Sequence, residues 1–167
     1  MNGNPKRLLF VHHTMTGGTR QMVEAALRGA ATEPGVTVTS LRAAQATATG
    51  LLEADGYLFA TPENLASMSG IMKDFFDRTY YDALGRLDGR PYAAMICAGS
   101  DGQGAARQLE RIALGWRLQP IAPALVAITH AQTPAEIRRP KQIAAADLHR
   151  CEELGATLAA GIALGVF

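Results

Sequence analysis

The sequence predicts an α/β fold: a three-layer sandwich in which a five-stranded parallel sheet, strand order 2-1-3-4-5, carries helices on both faces. Three observations predict it. Strand-like and helix-like segments alternate from one end of the chain to the other, the pattern of repeated strand–helix crossovers. The first, third and fourth apolar runs are nearly continuous, as strands covered on both faces are, whereas the second alternates and the fifth carries a proline, both marks of a sheet edge. No repeat, low-complexity tract or linker interrupts the alternation. The 167 residues read as one domain, long enough to bury a core, and right-handed crossovers leave few other arrangements.

The elements follow in order. Arg7–His12 is the first strand. Gly18–Ala31 is the first helix, with Met22, Val23, Ala26, Leu27 and Ala30 on one face. After a turn at Glu33-Pro34-Gly35, Val36–Leu41 alternates as an edge strand. Ala46–Ala54 reads as a short helix broken by Asp55-Gly56, and Tyr57–Ala60 as a central strand ended by Thr61-Pro62. Gly70–Tyr80 is a helix capped by Ser69, with Ile71, Met72, Phe75 and Phe76 inward. Gly85–Pro91 is a loop and Tyr92–Ala98 the fourth strand. Ala105–Leu114 is a helix with Leu109, Ile112 and Ala113 inward, stopped by Gly115. Ile121–Thr129 is the fifth strand, and Pro123 places its start at an edge or bulge. Thr133-Pro134-Ala135-Glu136 spells a capping box. Lys141–Ala160 is the last helix, with Ala144, Leu148, Cys151, Gly155 and Leu158 as its inward stripe.

Composition narrows the function classes. A net charge of +1 gives no field to attract nucleic acid or an anionic membrane. No apolar run reaches membrane-spanning length, and Met1–Arg7 lacks the apolar core of a secretory signal. The expectation is a cytoplasmic protein with no nucleic-acid or membrane partner. Cys97 and Cys151 have no metal-ligand spacing and read as core residues. His12 and His13 end the first strand, one directed into the protein and one toward the strand ends; no third ligand accompanies them, so no metal site is expected.

Chemistry concentrates in three loops at the carboxyl ends of strands one, three and four, where such sheets bind ligands. The first, His13–Thr19, holds three hydroxyls (Thr14, Thr16, Thr19) and two glycines (Gly17, Gly18) at a helix start. Close main-chain approach, added donors and the positive end of the helix dipole suit a phosphate monoester. An ordinary strand-to-helix turn with a threonine cap is the plainer alternative. The spacing is neither Gly-x-Gly-x-x-Gly nor Gly-Lys-Ser/Thr, so a dinucleotide-binding fingerprint and a nucleoside-triphosphatase loop are poorly supported. A carboxylate introduced at Gly18 is expected to repel a phosphate while sparing the helix.

The pattern Thr14-x-Thr16-Gly17-x-Thr19 resembles the phosphate loop of flavodoxin-like proteins, which hold flavin mononucleotide (FMN). The run Ser67-Met68-Ser69-Gly70-Ile71-Met72-Lys73-Asp74-Phe75-Phe76-Asp77-Arg78, with the loop from Thr61 before it, resembles NAD(P)H-dependent FMN reductases and flavodoxin-like quinone reductases. The resemblance spans nearly the whole chain. It implies FMN as cofactor, NAD(P)H as co-substrate and a small-molecule electron acceptor, with a homodimer and a homotetramer both open. It also implies that Thr14, Thr16, Gly17, Gly18 and Thr19 hold the phosphate. Main-chain groups of Pro62, Glu63, Asn64, Leu65, Ala66, Ser67 and Met68 would face the flavin ring, Glu63–Ala66 nearest its pyrimidine edge, and Gly99 and Ser100 of the loop Ala98–Gly104 would approach from the other side. Amide N–H groups aimed at the ring stabilise a reduced, anionic flavin, and no side-chain acid or base is required.

Two positions depart from the resemblance. Leu65 stands where many relatives stack an aromatic residue, and Ala66 where many have glycine. Tyr80 or Tyr81 of a second subunit could cover the ring instead, against the commoner role of packing a helix end. Arg138-Arg139-Pro140-Lys141 reads as a solvated basic loop or as a contact for a nucleotide phosphate. The expected function is an FMN-dependent oxidoreductase passing electrons from NAD(P)H to a quinone or similar acceptor. The alternatives are a flavodoxin-type one-electron carrier, against which the near-neutral charge counts, and a flavodoxin-like binding module without cofactor.

Overall fold

The computed structural model describes residues 4–167; the first three residues of the Met1–Arg7 stretch lie outside the described residues. The elements are β1 (Lys6–His12), α1 (Gly18–Ala30), β2 (Val36–Arg42), α2 (Ala48–Glu53), β3 (Gly56–Asn64), β4 (Ser67–Met68), α3 (Gly70–Ala83), β5 (Pro91–Ala98), α4 (Gln103–Gly115), β6 (Gln119–Pro120), β7 (Leu125–Ile128), α5 (Pro134–Arg138) and α6 (Ala145–Leu164). The strands β2-β1-β3-β5 lie side by side and parallel, and both β6 and β7 pair with the outer side of β5. This is the expected flavodoxin-like sheet, its fifth position filled by two short strands rather than one. Pro123 explains the split. Between the pairs Tyr92–Pro120 and Met95–Leu125 the edge chain uses two more residues than β5 does, and after a last bond from Ile121 N to the Tyr92 carbonyl this bulges Ala122–Ala124 off the ladder at the proline.

Alternation along the strands sorts the core into two layers. Leu9, Val11, Tyr57, Phe59, Ala94 and Ile96 face α3 and α4 with Met72, Phe75, Phe76, Leu109 and Trp116. Leu8, Phe10, Leu58, Ala60, Ala93 and Met95 face α1 and α6 with Met22, Ala26, Cys151 and Leu158. The α1–α6 crossing depends on glycine. A methyl group on Gly155 would run into the Ala26 carbonyl oxygen, and one on Gly29 into that of Glu152. Backbone therefore meets backbone there, as only glycine permits.

Several boundaries differ from the sequence reading. β3 does not stop at Thr61-Pro62 but runs on to Asn64 and turns back into β4. Proline is tolerated because it falls where the β1 ladder ends: the last bond on that side is from His13 N to the Ala60 carbonyl at 3.1 Å, so the missing N–H interrupts no continuing ladder. Gly115 does not stop α4; it is the last helical residue, and a methyl there would strike the Tyr80 hydroxyl. The stop comes at Arg117, with φ 56°. Ile71 is 44% exposed rather than inward. The last helix starts at Ala145, not Lys141, and Ala144 is exposed, because residues 141–143 are used to cross the start of α1. Ser69 caps α3 as expected, its Oγ accepting from Met72 N at 3.2 Å, and the Thr133–Glu136 capping box forms.

Candidate functional site

At the carboxyl edge the chain from His13 to Thr19 wraps the start of α1. Gly17 is the cap residue with φ 89°, a conformation that needs glycine. Its N–H donates to Thr14 Oγ1 at 3.1 Å, which leaves the Thr14 hydroxyl proton free. Among the described residues no protein acceptor takes the N–H groups of Thr14, Met15, Thr16, Gly18, Thr19 or Arg20. The Thr19 hydroxyl is buried and makes no hydrogen bond of ordinary geometry; the Cys97 thiol beside it is at most a weak partner. The first turn of α1 holds no acidic residue. A buried orphan hydroxyl and unpaired amides at a helix N-terminus form a cradle for an anion, so the residues present fit a flavin phosphate.

The start of α4 is treated in the opposite way. Glu63 reaches across from β3, and its carboxylate accepts from Gly102 N at 2.9 Å and Ala105 N at 3.1 Å. An internal anion thus fills the dipole end of α4, Ser69 fills that of α3, and the α1 start is left bare. Glu63 therefore sits in the loop expected to meet the ring, but its side chain turns away to α4.

The ring loop itself is a hairpin. Glu63 pairs with Met68 and Asn64 with Ser67, and Leu65 and Ala66 both take positive φ, 51° and 61°, the pattern of a two-residue I′ turn. Non-glycine residues in this region cost roughly 1–2 kcal/mol each, so the hairpin must be held from outside. Gln108 Oε1 accepts from Ser67 Oγ (2.8 Å) and Met68 N (2.9 Å). The Ala66 carbonyl packs on Gly104, where any Cβ would collide with it. Thr61 Oγ1 accepts from Ser69 N at 3.1 Å. The N–H groups of Leu65 and Ala66 have no acceptor among the described residues, and the Leu65 side chain is fully exposed.

A cavity of about 520 Å³ lies between these loops. Of the sequence-predicted residues, Thr16, Pro62, Glu63, Asn64, Leu65, Ala66, Gly99 and Ser100 line it. Thr14, Gly17, Gly18 and Thr19 form the cradle beside it. Ser67 and Met68 do not line it: they form β4, with Met68 in the core. A fourth wall follows β7, where Thr129, Ala131, Gln132, Ile137 and Lys141 contribute; sequence reasoning singled out Lys141 of these, in its basic loop, and missed the other four. It also missed Gln21, Gln108 and the Glu63 cap, whose roles arise between residues far apart in sequence. A second cavity of about 490 Å³, lined by residues such as Tyr92, Glu110, Leu118 and Pro123, lies beside the edge bulge and contains none of the three loops.

Two histidines and two cysteines near the site favour their neutral forms. Burial, then Arg42 and His13, lowers the pKa of His12, and burial lowers that of His13. Burial pushes the Cys97 thiol up to about 11 and Cys151 up to about 12, which fits core residues rather than nucleophiles. Lys141 is not a free cation: its Nζ donates to the carbonyls of Glu136, Ile137 and Arg139 at 2.7–2.8 Å. Tyr80 packs inward, stacked on Trp116 with its carbonyl accepting from the indole N–H. Tyr81 is exposed at the end of α3 remote from the hairpin. Gly18 corrects another expectation. A Cβ there would lie 2.6 Å from Cys97 Sγ, so no side chain enters without displacing the thiol, and Gly18→Asp does not spare its surroundings. Among the described residues no cluster of three His, Cys, Asp or Glu side chains could hold a metal ion, and no helix is long and apolar enough to cross a membrane.

A parallel sheet with a bare helix start after β1 and a pinned main-chain hairpin after β3 defines a flavodoxin-like protein. Residues 37–133 match the NADPH-dependent FMN reductase family, and the chain belongs to that FMN-binding, flavodoxin-like family. A protein named flavodoxin from Aquifex aeolicus (strain VF5) is 34% identical over 98 residues, 59% of this chain and 53% of that protein; the chain thus matches about half the length of that relative. Among solved structures, a flavodoxin from the domain Archaea is 19% identical with a TM-score of 0.75, covering 93% of this chain and 98% of that one. A WrbA-like flavodoxin from Agrobacterium tumefaciens is 18% identical with a TM-score of 0.69, covering 94% and 97%. These structures establish the fold. The family match begins after α1, so the phosphate cradle rests on its own geometry.

Proposed function

We propose that the chain is an FMN-dependent oxidoreductase that takes electrons from NAD(P)H and passes them to a quinone or similar small acceptor in the cytoplasm. The observation that carries the reading is the contrast between helix starts: α3 and α4 are capped from within, and α1 alone among these three keeps its donors bare, next to a cavity lined by Thr16 and by the hairpin residues Glu63, Asn64, Leu65 and Ala66. Bound FMN would supply the redox chemistry, which is the cofactor's own. The protein's part is to hold and orient it. Thr14, Thr16, Gly17, Gly18 and Thr19 would hold the phosphate. The main chain of Pro62–Ala66, with the free Leu65 and Ala66 N–H groups, would border the ring and favour its reduced, anionic form; Gly99 and Ser100 would meet it from the other side. A cradle that closes on a terminal phosphate favours FMN over FAD.

A second reading, a one-electron carrier, is favoured by the name of the Aquifex relative. The near-balanced charge of +1 gives no field for steering onto a basic redox partner, and the matched family favours the reductase. The absorbance of the purified protein, titrated with FMN and FAD, tests cofactor choice. Anaerobic mixing with NADH or NADPH and then a quinone tests the reaction: bleaching by a nicotinamide nucleotide and recovery with quinone are expected. No bleaching, with reduction by dithionite in two resolved one-electron stages, would support the carrier.

A further inference from the structure

The two carbonyl groups that flank the bend of the phosphate cradle are tied off from behind. The Thr16 carbonyl accepts from Lys141 N at 2.9 Å. The Gly17 carbonyl accepts from Gln21 N at 3.2 Å and from Gln21 Nε2 at 3.0 Å. The same Gln21 amide donates to the Lys141 carbonyl at 2.8 Å and accepts from Ile143 N at 3.1 Å. Lys141 in turn closes the α5 turn through its three Nζ bonds. Segment 136–143 is thereby fastened across the start of α1, with Ile137 and Lys141 on the cavity wall.

This arrangement solves an electrostatic problem. The peptide between Gly17 and Gly18, whose N–H finds no protein acceptor among the described residues, has no Cβ on either side and is not fixed by side-chain sterics. Turned one way its N–H attracts an anion; turned the other way its carbonyl repels one. The conformation has to be fixed by other groups, and Gln21, one helical turn after Gly17, leans back over it. We propose that Gln21 and Lys141 are positioning residues that latch segment 136–143 onto the cradle and hold the Thr16 and Gly17 carbonyls away from the flavin phosphate. The inference rests on the FMN reading. It makes affinity for the phosphate depend on a segment more than a hundred residues away in sequence.

The test compares FMN with riboflavin, which lacks the phosphate, in wild type and Gln21→Met by fluorescence quenching. FMN affinity is expected to fall about tenfold or more, as loss of hydrogen bonds worth a little over 1 kcal/mol requires, while riboflavin affinity changes less than about twofold. Amide exchange at Lys141 and Ile143 should quicken in the variant, and FMN but not riboflavin should slow it in wild type. Equal losses for the two flavins, or an unchanged FMN-to-riboflavin ratio, would overturn the latch and leave the functional reading standing. Wild type that binds neither flavin overturns both. If Gln21→Met does not fold, Lys141→Met, which keeps the main-chain bond to Thr16 and releases the α5 turn, gives the same comparison with the same criteria.

Discussion

Replacing Glu63 by alanine removes the carboxylate that caps the α4 N-terminus, where it accepts from Gly102 N and Ala105 N at 2.9 and 3.1 Å. A hydrogen bond to a charged acceptor is worth about 1.5–3 kcal/mol, and a charge complementary to the helix dipole adds about 0.3–1 kcal/mol. Glu63 is only half-buried beside a water-accessible cavity, so water takes over part of what is lost. A net cost of about 2–3 kcal/mol follows. For a chain of this size each kcal/mol lowers Tm by about 2–4 °C, giving a drop of about 4–12 °C. Glu63→Gln keeps one carbonyl acceptor but no charge and should cost about half as much. The assay is thermal unfolding of the flavin-free variants by circular dichroism. An alanine variant that melts within about 1 °C of wild type would refute the cap. So would a glutamine variant as damaged as alanine, because charge and acceptor would then not be what matters.

Three further outcomes are expected. Gly155→Val should cost about 3 kcal/mol or more by driving α6 off the Ala26 carbonyl, read as loss of soluble protein or a large fall in Tm. Gly18→Ala should weaken flavin binding and cost about 1–3 kcal/mol by striking Cys97 Sγ, and adding Cys97→Ala should restore both; a single variant that behaves as wild type would show that the thiol yields freely. Stability should fall as pH drops below about 6.5. The folded state disfavours protonation of His12, whose pKa is lowered first by burial and then by Arg42 and His13, whereas the unfolded chain takes up the proton near 6.5. The folded state therefore binds fewer protons in that window, so stability is full above it and lost on acidification. His12→Asn should reduce the dependence of Tm on pH between about 7.5 and about 5.5, the remainder coming from His13, whose pKa burial also lowers.

The sheet order was legible because it is written in periodicity: continuous apolar runs for β1, β3 and β5, alternation for β2, and Pro123 for the bulge. The three loops were legible because strand ends in such a sheet converge. The hairpin was not. Thr61-Pro62 carries a terminator's residues, and Leu65-Ala66 has none of the Asn-Gly chemistry that announces a two-residue turn. Its geometry is imposed by Gly104, Gln108 and Thr61, at sequence distances that no local pattern encodes. The same holds for residues 141–143. They run into an alanine-rich stretch and read as helix, but their backbone groups are spent on Thr16 and Gln21. Gly115 misled for the opposite reason, since glycine was needed there for the Tyr80 hydroxyl to fit and not for a helix stop.

The two ends of the site are held by different parts of the chain. The hairpin hangs on α4 through Glu63, Gln108 and Gly104, whereas the cradle hangs on segment 136–143 through Gln21 and Lys141; these sets share no hydrogen-bond partner, and hairpin and cradle loop meet in one weak bond, Asn64 Nδ2 to Met15 Sδ at 2.9 Å. Their effects should therefore be separable. In flavin-free protein the stability losses of Glu63→Ala and Gln21→Met should add to within about 0.5 kcal/mol, as independent sites do. In the proposed placement riboflavin would reach only the hairpin end, so Glu63→Ala should weaken its binding and Gln21→Met should not. FMN would span both ends and should feel each variant, the double variant losing close to the product of the two factors. A coupling above about 1 kcal/mol in the flavin-free protein would mean that hairpin and cradle move as one body, and the division of the site into a ring end and a phosphate end would have to be abandoned.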